Sequence, residues 1–127
     1  MRDLIVSTIA VSLLIGTWLV FYNYSEKQID SFTASIENDL IPAVEAGRWE
    51  ESVSQTENLS QRWHKYKKTA LLFIDTVTLN EIDYTLAKSE KYILNKDISG
   101  ASGELYAMHQ QLVFLSSNDR VIVSNIL

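Results

Sequence analysis

The hydrophobic pattern of the chain changes sharply near residue 25. From Leu4 to Ser25 there is no charged residue, and Leu, Ile, Val, Phe and Trp dominate. As a helix, the 19 residues from Leu4 to Tyr22 would reach about 28 Å, close to the ~30 Å hydrocarbon thickness of a bilayer. The pattern therefore predicts one membrane-spanning helix at the N-terminus.

A cleaved signal peptide is the alternative interpretation of this segment. Its apolar region is usually about 7–15 residues and ends at a small-residue cleavage site. Here the run is longer, and it ends in the aromatic residues Trp18, Phe21, Tyr22 and Tyr24. Aromatic rings are favourable at the headgroup level. We therefore favour a retained anchor at residues 1–25, followed by one further domain at residues 26–127.

Orientation depends on few charges. Arg2 and the terminal amine precede the span, whereas Lys27 is the only cation in the short flank that follows it. Because cytoplasmic flanks carry the excess of Lys and Arg, this predicts a single-pass protein of the cell membrane with a cytoplasmic N-terminus and the C-terminal body outside.

The remainder of the chain has helical periodicity. Apolar residues recur at spacings of three and four in Ile29, Phe32, Ile36, Leu40 and Val44, which predicts that the membrane helix continues outward. Pro42 removes a backbone donor and crowds the preceding turn, so we expect a kink near Asn38.

A second helix is predicted to begin at Arg48, after a left-handed Gly47. Its apolar face consists of Trp49, Val53, Thr56, Leu59, Trp63, Tyr66, Ala70, Leu71 and Ile74. Trp49 and Trp63 are two heptads apart and therefore point in nearly the same direction. We expect both rings to be buried against the first and third helices, since paired rings on one helical face usually belong to a core.

Two more helices follow. The sequence from Thr78 to Glu81, "TLNE", predicts a capping box at the start of the third helix, and Asn95–Asp97 predicts a turn after it. The apolar positions are Leu79, Ile82, Leu86 and Ile93 in the third helix, and Ile98, Ala101, Leu105, Met108, Leu112 and Leu115 in the fourth. Polar residues at 116–119 predict a break, after which the apolar tail from Val121 to Leu127 should lie back on the helices. The predicted fold is all-α, with one N-terminal transmembrane helix continuing into a small antiparallel bundle of about four helices.

The sequence contains no recognisable catalytic or metal-binding pattern. His64 and His109 are the only histidines, and neither has the spacing of a helical metal site. Adjacent carboxylates such as Glu50 and Glu51 diverge around a helix and are not preorganised as acid and base. The lack of cysteine excludes disulfides, thiolate chemistry and a lipoprotein anchor. We therefore expect neither an enzyme nor a bound metal or cofactor.

One segment has the composition of an interaction surface. It contains cations beside aromatic rings, and the candidate residues are Trp49, Arg62, Trp63, Lys65, Tyr66, Lys67 and Lys68. Such cations could face anionic lipid or an anionic wall polymer, although a solvated helix face is the simpler interpretation. A nucleic acid partner is disfavoured because the chain carries a formal net charge of -5.

These segments resemble domain-of-unknown-function family 4363, small single-pass membrane proteins of Gram-positive, often spore-forming bacteria. The resemblance rests on the membrane helix and on the segments "EAGRWEES", "RWHKYKK", "NEID", "NKD" and "SNIL". It implies an anchored helical bundle facing outward, and it implies no activity. Members often have a histidine and an acid just before the position of Glu81, where this chain has Thr78, Leu79 and Asn80, so no role of that histidine can be transferred.

The sequence thus predicts a membrane-anchored extracytoplasmic helical module for protein interaction or scaffolding. Its expected partners are the lipid bilayer, through the N-terminal helix, and a membrane or envelope protein. The alternative function is a sensor or small-ligand binder, with a pocket between helices near Trp49, Trp63 and Tyr66.

Overall fold

The computed structural model describes the backbone of residues 1–126 and the side chains of residues 1–117. This described part consists of helices and short turns and contains no strand. The elements are α1 (Arg2–Ala34), a π-helical turn (Ser35–Leu40), α2 (Ile41–Glu45), α3 (Trp49–Ala70), α4 (Thr76–Leu94) and α5 (Ile98–Ile126). The predicted all-α class is confirmed.

The first three elements form one continuous helix, Arg2–Glu45, of 44 residues. The fold therefore has four helical rods, which are this first helix, α3, α4 and α5. The fourth rod, α5, runs antiparallel to the first. Ser102 Oγ donates to Glu45 Oε1 at 3.2 Å, and Ser116 Oγ donates to Glu26 Oε1 at 2.7 Å. As the residue number rises on α5 it falls on the first rod, as expected for an antiparallel bundle.

The two ends of the bundle are distinguished by their turns. The α2–α3 turn at Gly47 and the α4–α5 turn at Asn95–Asp97 lie at what we call the far end. The α3–α4 loop, residues 71–75, lies beside Phe21 of α1 at the opposite, near end. The uncharged N-terminal run leaves the bundle at this near end.

The N-terminal half of α1 is not covered by the bundle. Its residues are exposed from Arg2 to Thr17, and an 18-residue apolar window within the Arg2–Glu45 helix is only 6% buried. A core helix of a soluble protein would be buried, whereas this helix exposes its apolar side chains. It is the one helix in the described chain that is long and apolar enough to cross a membrane.

The irregularity predicted near Asn38 is a π-helical turn. Because Pro42 has no backbone N–H, the carbonyl four residues earlier cannot be satisfied by an ordinary α-helical bond. The helix widens over Ser35–Leu40 and then continues through the proline. Ile36 and Leu40 stay fully buried, so the first rod keeps its apolar stripe through the turn.

The core follows most of the predicted stripes. In α3 the buried positions alternate at spacings of four and three, in the order Ser52, Thr56, Leu59, Trp63, Tyr66 and Ala70. The predicted α4 line is buried throughout, whereas the predicted α5 line is buried only from Ala101 onward, because Ile98 is 44% exposed at the far end. Leu71 is 43% exposed and Ile74 lies outside α3, so neither extends the α3 core face.

Both turns predicted at the far end are confirmed. Gly47 has φ +73°, the left-handed conformation that glycine adopts at little cost. Arg48 is the N-cap of α3, which begins one residue later than predicted. Lys96, in the middle of the predicted Asn95–Asp97 turn, also has positive φ, at 56°.

The predicted capping box of the third helix is wrong. Helix α4 begins at Thr76, two residues before Thr78, and its N-cap is Asp75. The Asp75 carboxylate accepts from the backbone N–H of Val77 at 3.4 Å. A carboxylate at the N-cap also interacts favourably with the helix dipole, so the start is set upstream of "TLNE".

The predicted break at residues 116–119 is also wrong, because α5 continues to Ile126. Ser116 is buried on the bundle side, where its hydroxyl bonds to Glu26. A serine that has a partner within the bundle does not end a helix. The predicted packing of the tail from Val121 to Leu127 concerns side chains outside the described residues.

Candidate functional site

The two tryptophans of the α3 seam have different environments. Trp63 is fully buried, and its ring lies edge-on to Phe32 of α1 with centroids 5.9 Å apart. Its indole Nε1 donates to Oδ1 of Asp83 on α4. Trp63 therefore contacts both the first rod and the third rod, α4, as predicted for it.

A polar network closes the α3–α4 interface beside Trp63. The second oxygen of Asp83, Oδ2, accepts from Lys67 Nζ, which also donates to Asn80 Oδ1 at 2.8 Å. The side chains of Lys67 and Asp83 are 17% and 20% exposed. The ion pair is therefore largely removed from solvent, and each of its two side chains has one further hydrogen-bond partner.

Tyr66 completes an aromatic cluster, which consists of Phe21, Tyr24, Phe32, Trp63, Tyr66 and Phe73. The Tyr66 ring lies 5.5 Å from Trp63 and 5.7 Å from Phe32, centroid to centroid. Its hydroxyl and that of Ser25 form a buried hydrogen bond of 2.6 Å. Trp63 and Tyr66, which were candidates for an interaction surface, thus lie in the core.

Trp49 occupies the same seam at the far end and is only partly buried. It borders an open depression between α3 and the end of α4, which we call the distal groove. Its apolar lining is Trp49, Val53, Ile93 and Leu94, with Thr56 alongside. Two adjoining cavities of about 310 and 400 Å³ share Val53, Ile93 and Leu94. The prediction that Trp49 is buried like Trp63 is therefore wrong.

The rim of the distal groove is charged. Three carboxylates border it, Glu50, Glu57 and Glu90, against one cation, Lys96. Along α3 the groove extends from Trp49 to Gln61, a rise of about 18 Å. The arrangement is an elongated apolar floor with an acidic edge, which suits a segment carrying apolar and basic side chains.

The four candidate cations divide into two pairs. Arg62 donates to Ser31 Oγ at 2.8 Å and to Ser35 Oγ at 2.9 Å, and its guanidinium lies 5.6 Å from the Phe32 ring centroid. Arg62 and Lys67 therefore hold α3 to its neighbours. Lys65 and Lys68 are exposed, so they alone of the four present their charge fully to solvent.

The histidines lie apart. His64 Nδ1 is 2.7 Å from the carbonyl oxygen of Ser60 on its own helix, while His109 Nε2 of α5 is 3.5 Å from Glu37 Oε2. Within the described residues, no group of three or more His, Asp or Glu side chains could hold a metal ion.

Some contributors to these arrangements were not identified from sequence. Asn80 and Asp83 are three residues apart and thus share a helical face, which is a signal for the network with Lys67. Leu94 follows Ile93 directly, and because adjacent helical residues diverge by about 100°, the two side chains point in different directions. Leu94 is 66% exposed and forms part of the distal groove.

A family model described as a domain of unknown function, DUF4363, matches residues 19–126. The chain belongs to the DUF4363 family. The resemblance predicted from sequence is thereby confirmed. The DUF4363 match begins at Leu19, so it covers the helical bundle and leaves most of the exposed apolar run outside. No curated protein and no solved structure matches the chain.

Proposed function

We propose that this DUF4363 protein is a membrane-anchored, extracytoplasmic interaction module that binds a protein partner through the distal groove. The observation that carries the proposal is the open apolar floor formed by Trp49, Val53 and Leu94 at the far end. This end is remote from the uncharged N-terminal run. A groove located toward the end of the bundle that is remote from the bilayer is accessible to a membrane or envelope protein.

Charge and shape specify the partner. The acidic rim of Glu50, Glu57 and Glu90 favours a segment with Lys or Arg. The extent of about 18 Å along α3 corresponds to roughly three turns of a docked helix. We infer an amphipathic helical segment with apolar anchors and basic flanks, bound as helices bind in apolar grooves.

The anchor is supported by the exposed apolar side chains of α1 and by the aromatic residues at its end. We propose that the anchor is retained, with the N-terminus cytoplasmic and the body outside, on the balance of Arg2 against Lys27. Intact mass of membrane-extracted protein tests retention, and protease added to wall-free cells tests orientation. Loss of the first twenty-odd residues would refute retention, and a protected body would refute the orientation.

The partner site is tested with two charge-introducing variants of the full chain in mild detergent. Leu94→Glu places an acid in the groove, and Val113→Glu places one at another exposed apolar position, on α5. A stoichiometric protein captured by the parent and by Val113→Glu, but lost with Leu94→Glu, supports the proposal. Equal retention by both variants contradicts it.

A small-ligand function is the second candidate, because the groove volumes of about 310 and 400 Å³ lie near the lower end of the range for ligand pockets. It would be marked by a thermal shift with small molecules that Leu94→Glu abolishes. We propose no catalytic activity for the chain.

A further inference from the structure

The α3–α4 loop has an unusual composition for an exposed connection. It begins with four consecutive apolar residues, Leu71, Leu72, Phe73 and Ile74, before Asp75. Exposed turns favour Gly, Pro, Asn, Asp and Ser. Leu71 and Leu72 are nevertheless 43% and 79% exposed, and Val77 in the first turn of α4 is 62% exposed. Apolar surface of this kind usually marks a contact with another phase or molecule.

The position of the loop identifies the contact. The rings of Phe73 and Phe21 are stacked, with centroids 4.2 Å apart and planes at 9°. Phe21 belongs to the end of the uncharged run, where Trp18 and Tyr22 also stack on each other. This is the level at which aromatic residues mark the membrane–water interface. The loop therefore lies beside α1 where that helix would leave the hydrocarbon.

We propose that the α3–α4 loop inserts into the interface of the same leaflet from which α1 emerges, with Leu71 and Leu72 as its apolar contacts. This inference rests on the proposed membrane anchor. The bilayer is favoured as the occupant because the patch is continuous, through Phe73 and Phe21, with the segment assigned to the span. Insertion by an interfacial element reaches about 5–10 Å into the headgroup and acyl boundary.

Charge contributes little to this contact. Among the described side chains, the exposed cations of α1 and α3 on the segments leading to the near end, Lys27, Lys65 and Lys68, are accompanied by the carboxylates Glu26, Asp30 and Asp75. Because the two signs are balanced, attraction to anionic lipid is nearly cancelled. The loop should therefore insert into a neutral bilayer, and insertion should be insensitive to salt, unlike binding by a cationic surface.

The natural lack of cysteine permits a direct test in the full chain. Single substitutions Leu72→Cys, Leu14→Cys and Leu94→Cys introduce thiols at exposed leucines of the loop, the span and the far end. Each is labelled with a polarity-sensitive fluorophore and reconstituted into phosphatidylcholine vesicles. We expect a blue shift at positions 72 and 14 and loss of their emission when the lipids carry nitroxides. Position 94 should instead be quenched by an aqueous quencher.

The three positions distinguish the failures. If position 14 is not quenched by lipid nitroxides, the anchor and the loop insertion are both wrong. If position 14 is quenched while position 72 behaves like position 94, the anchor stands and loop insertion is overturned. Protection of position 72 from both quenchers would show that a protein surface or a second copy covers the loop, which also overturns it. Salt-reversible quenching at position 72 would contradict the apolar mechanism.

Discussion

The near and far halves of the α3–α4 interface differ although one heptad seam runs through both. At the near half Trp63 meets Phe32 and donates to Asp83, and the interface is closed. At the far half Trp49 borders an open groove. The same residue type at the same seam position is thus core in one place and part of an open groove floor in the other. The seam determines the direction of a side chain, and the neighbouring helices determine whether anything covers it.

Replacement of the two tryptophans by alanine tests this difference most strongly. Trp63→Ala should cost about 3–5 kcal/mol of unfolding free energy, since it leaves a cavity and an unpaired Asp83 oxygen. Trp49→Ala should cost about 1–2 kcal/mol, because the Trp49 ring is partly exposed to solvent and is therefore less completely packed than the Trp63 ring. Denaturant unfolding of the full chain in mild detergent, followed by circular dichroism, measures both. Equal losses would show that the far half is as well packed as the near half.

The polar network is the next test. Asp83→Ala should destabilise the bundle by about 2–3 kcal/mol, because it leaves the Trp63 indole N–H without its acceptor and the Lys67 ammonium with Asn80 but no opposite charge. The matched control is Glu51→Ala at the far end, which breaks the Arg48–Glu51 pair with side chains 53% and 45% exposed. That change should cost less than about 1 kcal/mol. A small effect of Asp83→Ala would mean that water replaces the carboxylate at little cost.

A third comparison uses the same substitution at two glycines. Gly47→Ala should cost about 1–2 kcal/mol, because φ is +73° and a residue with a Cβ is strained in that conformation. The added methyl group itself has room, since Trp49 Nε1 lies 3.9 Å away. Gly103→Ala in α5 should stabilise by about 0.5–1 kcal/mol, since no atom of another element lies within 4 Å of the added methyl group and alanine favours the helix. Relative to the parent, the unfolding midpoint should fall for Gly47→Ala and rise for Gly103→Ala. Destabilisation by both would show that the added methyl group at Gly103 does meet neighbouring atoms.

The smallest expected effect concerns the bond between Ser25 and Tyr66. Tyr66→Phe removes a hydroxyl from a buried 2.6 Å hydrogen bond and should cost about 1 kcal/mol. In a double-mutant cycle with Ser25→Ala, the second change should cost less once the first has been made. Additive losses would show that the two hydroxyls do not depend on each other.

Periodicity predicted the number and order of the helices and most of their buried faces, because apolar spacing reports which side of a helix meets the core. It was less informative about helix ends. Asp75 at the start of α4 was missed since a single carboxylate before an apolar turn is a weaker pattern than "TLNE". Ser116 was interpreted as a break because its partner, Glu26, lies 90 residues away in the chain.

The candidate surface was predicted less well than the fold. Arg62 and Lys67 look like solvated cations in the sequence, yet they hold α3 to α1 and α4 through serine, asparagine and aspartate partners. Such pairings depend on how the rods are placed relative to one another. The distal groove likewise arises where the side chains of α3 and α4 do not fill the space between the two helices. Such incomplete packing depends on both helices, so the sequence of either one alone carries no signal for it.

The unbroken path from Arg2 to Glu45 makes the first rod a lever. The residues from Phe21 to Glu45 rise about 36 Å. A tilt of ~20°, ordinary for a membrane helix, would carry the Gly47 turn sideways by about 12 Å. Bilayer thickness, which influences tilt, would thus set where the distal groove points, and a thicker or thinner membrane would reposition it without any change in the bundle itself.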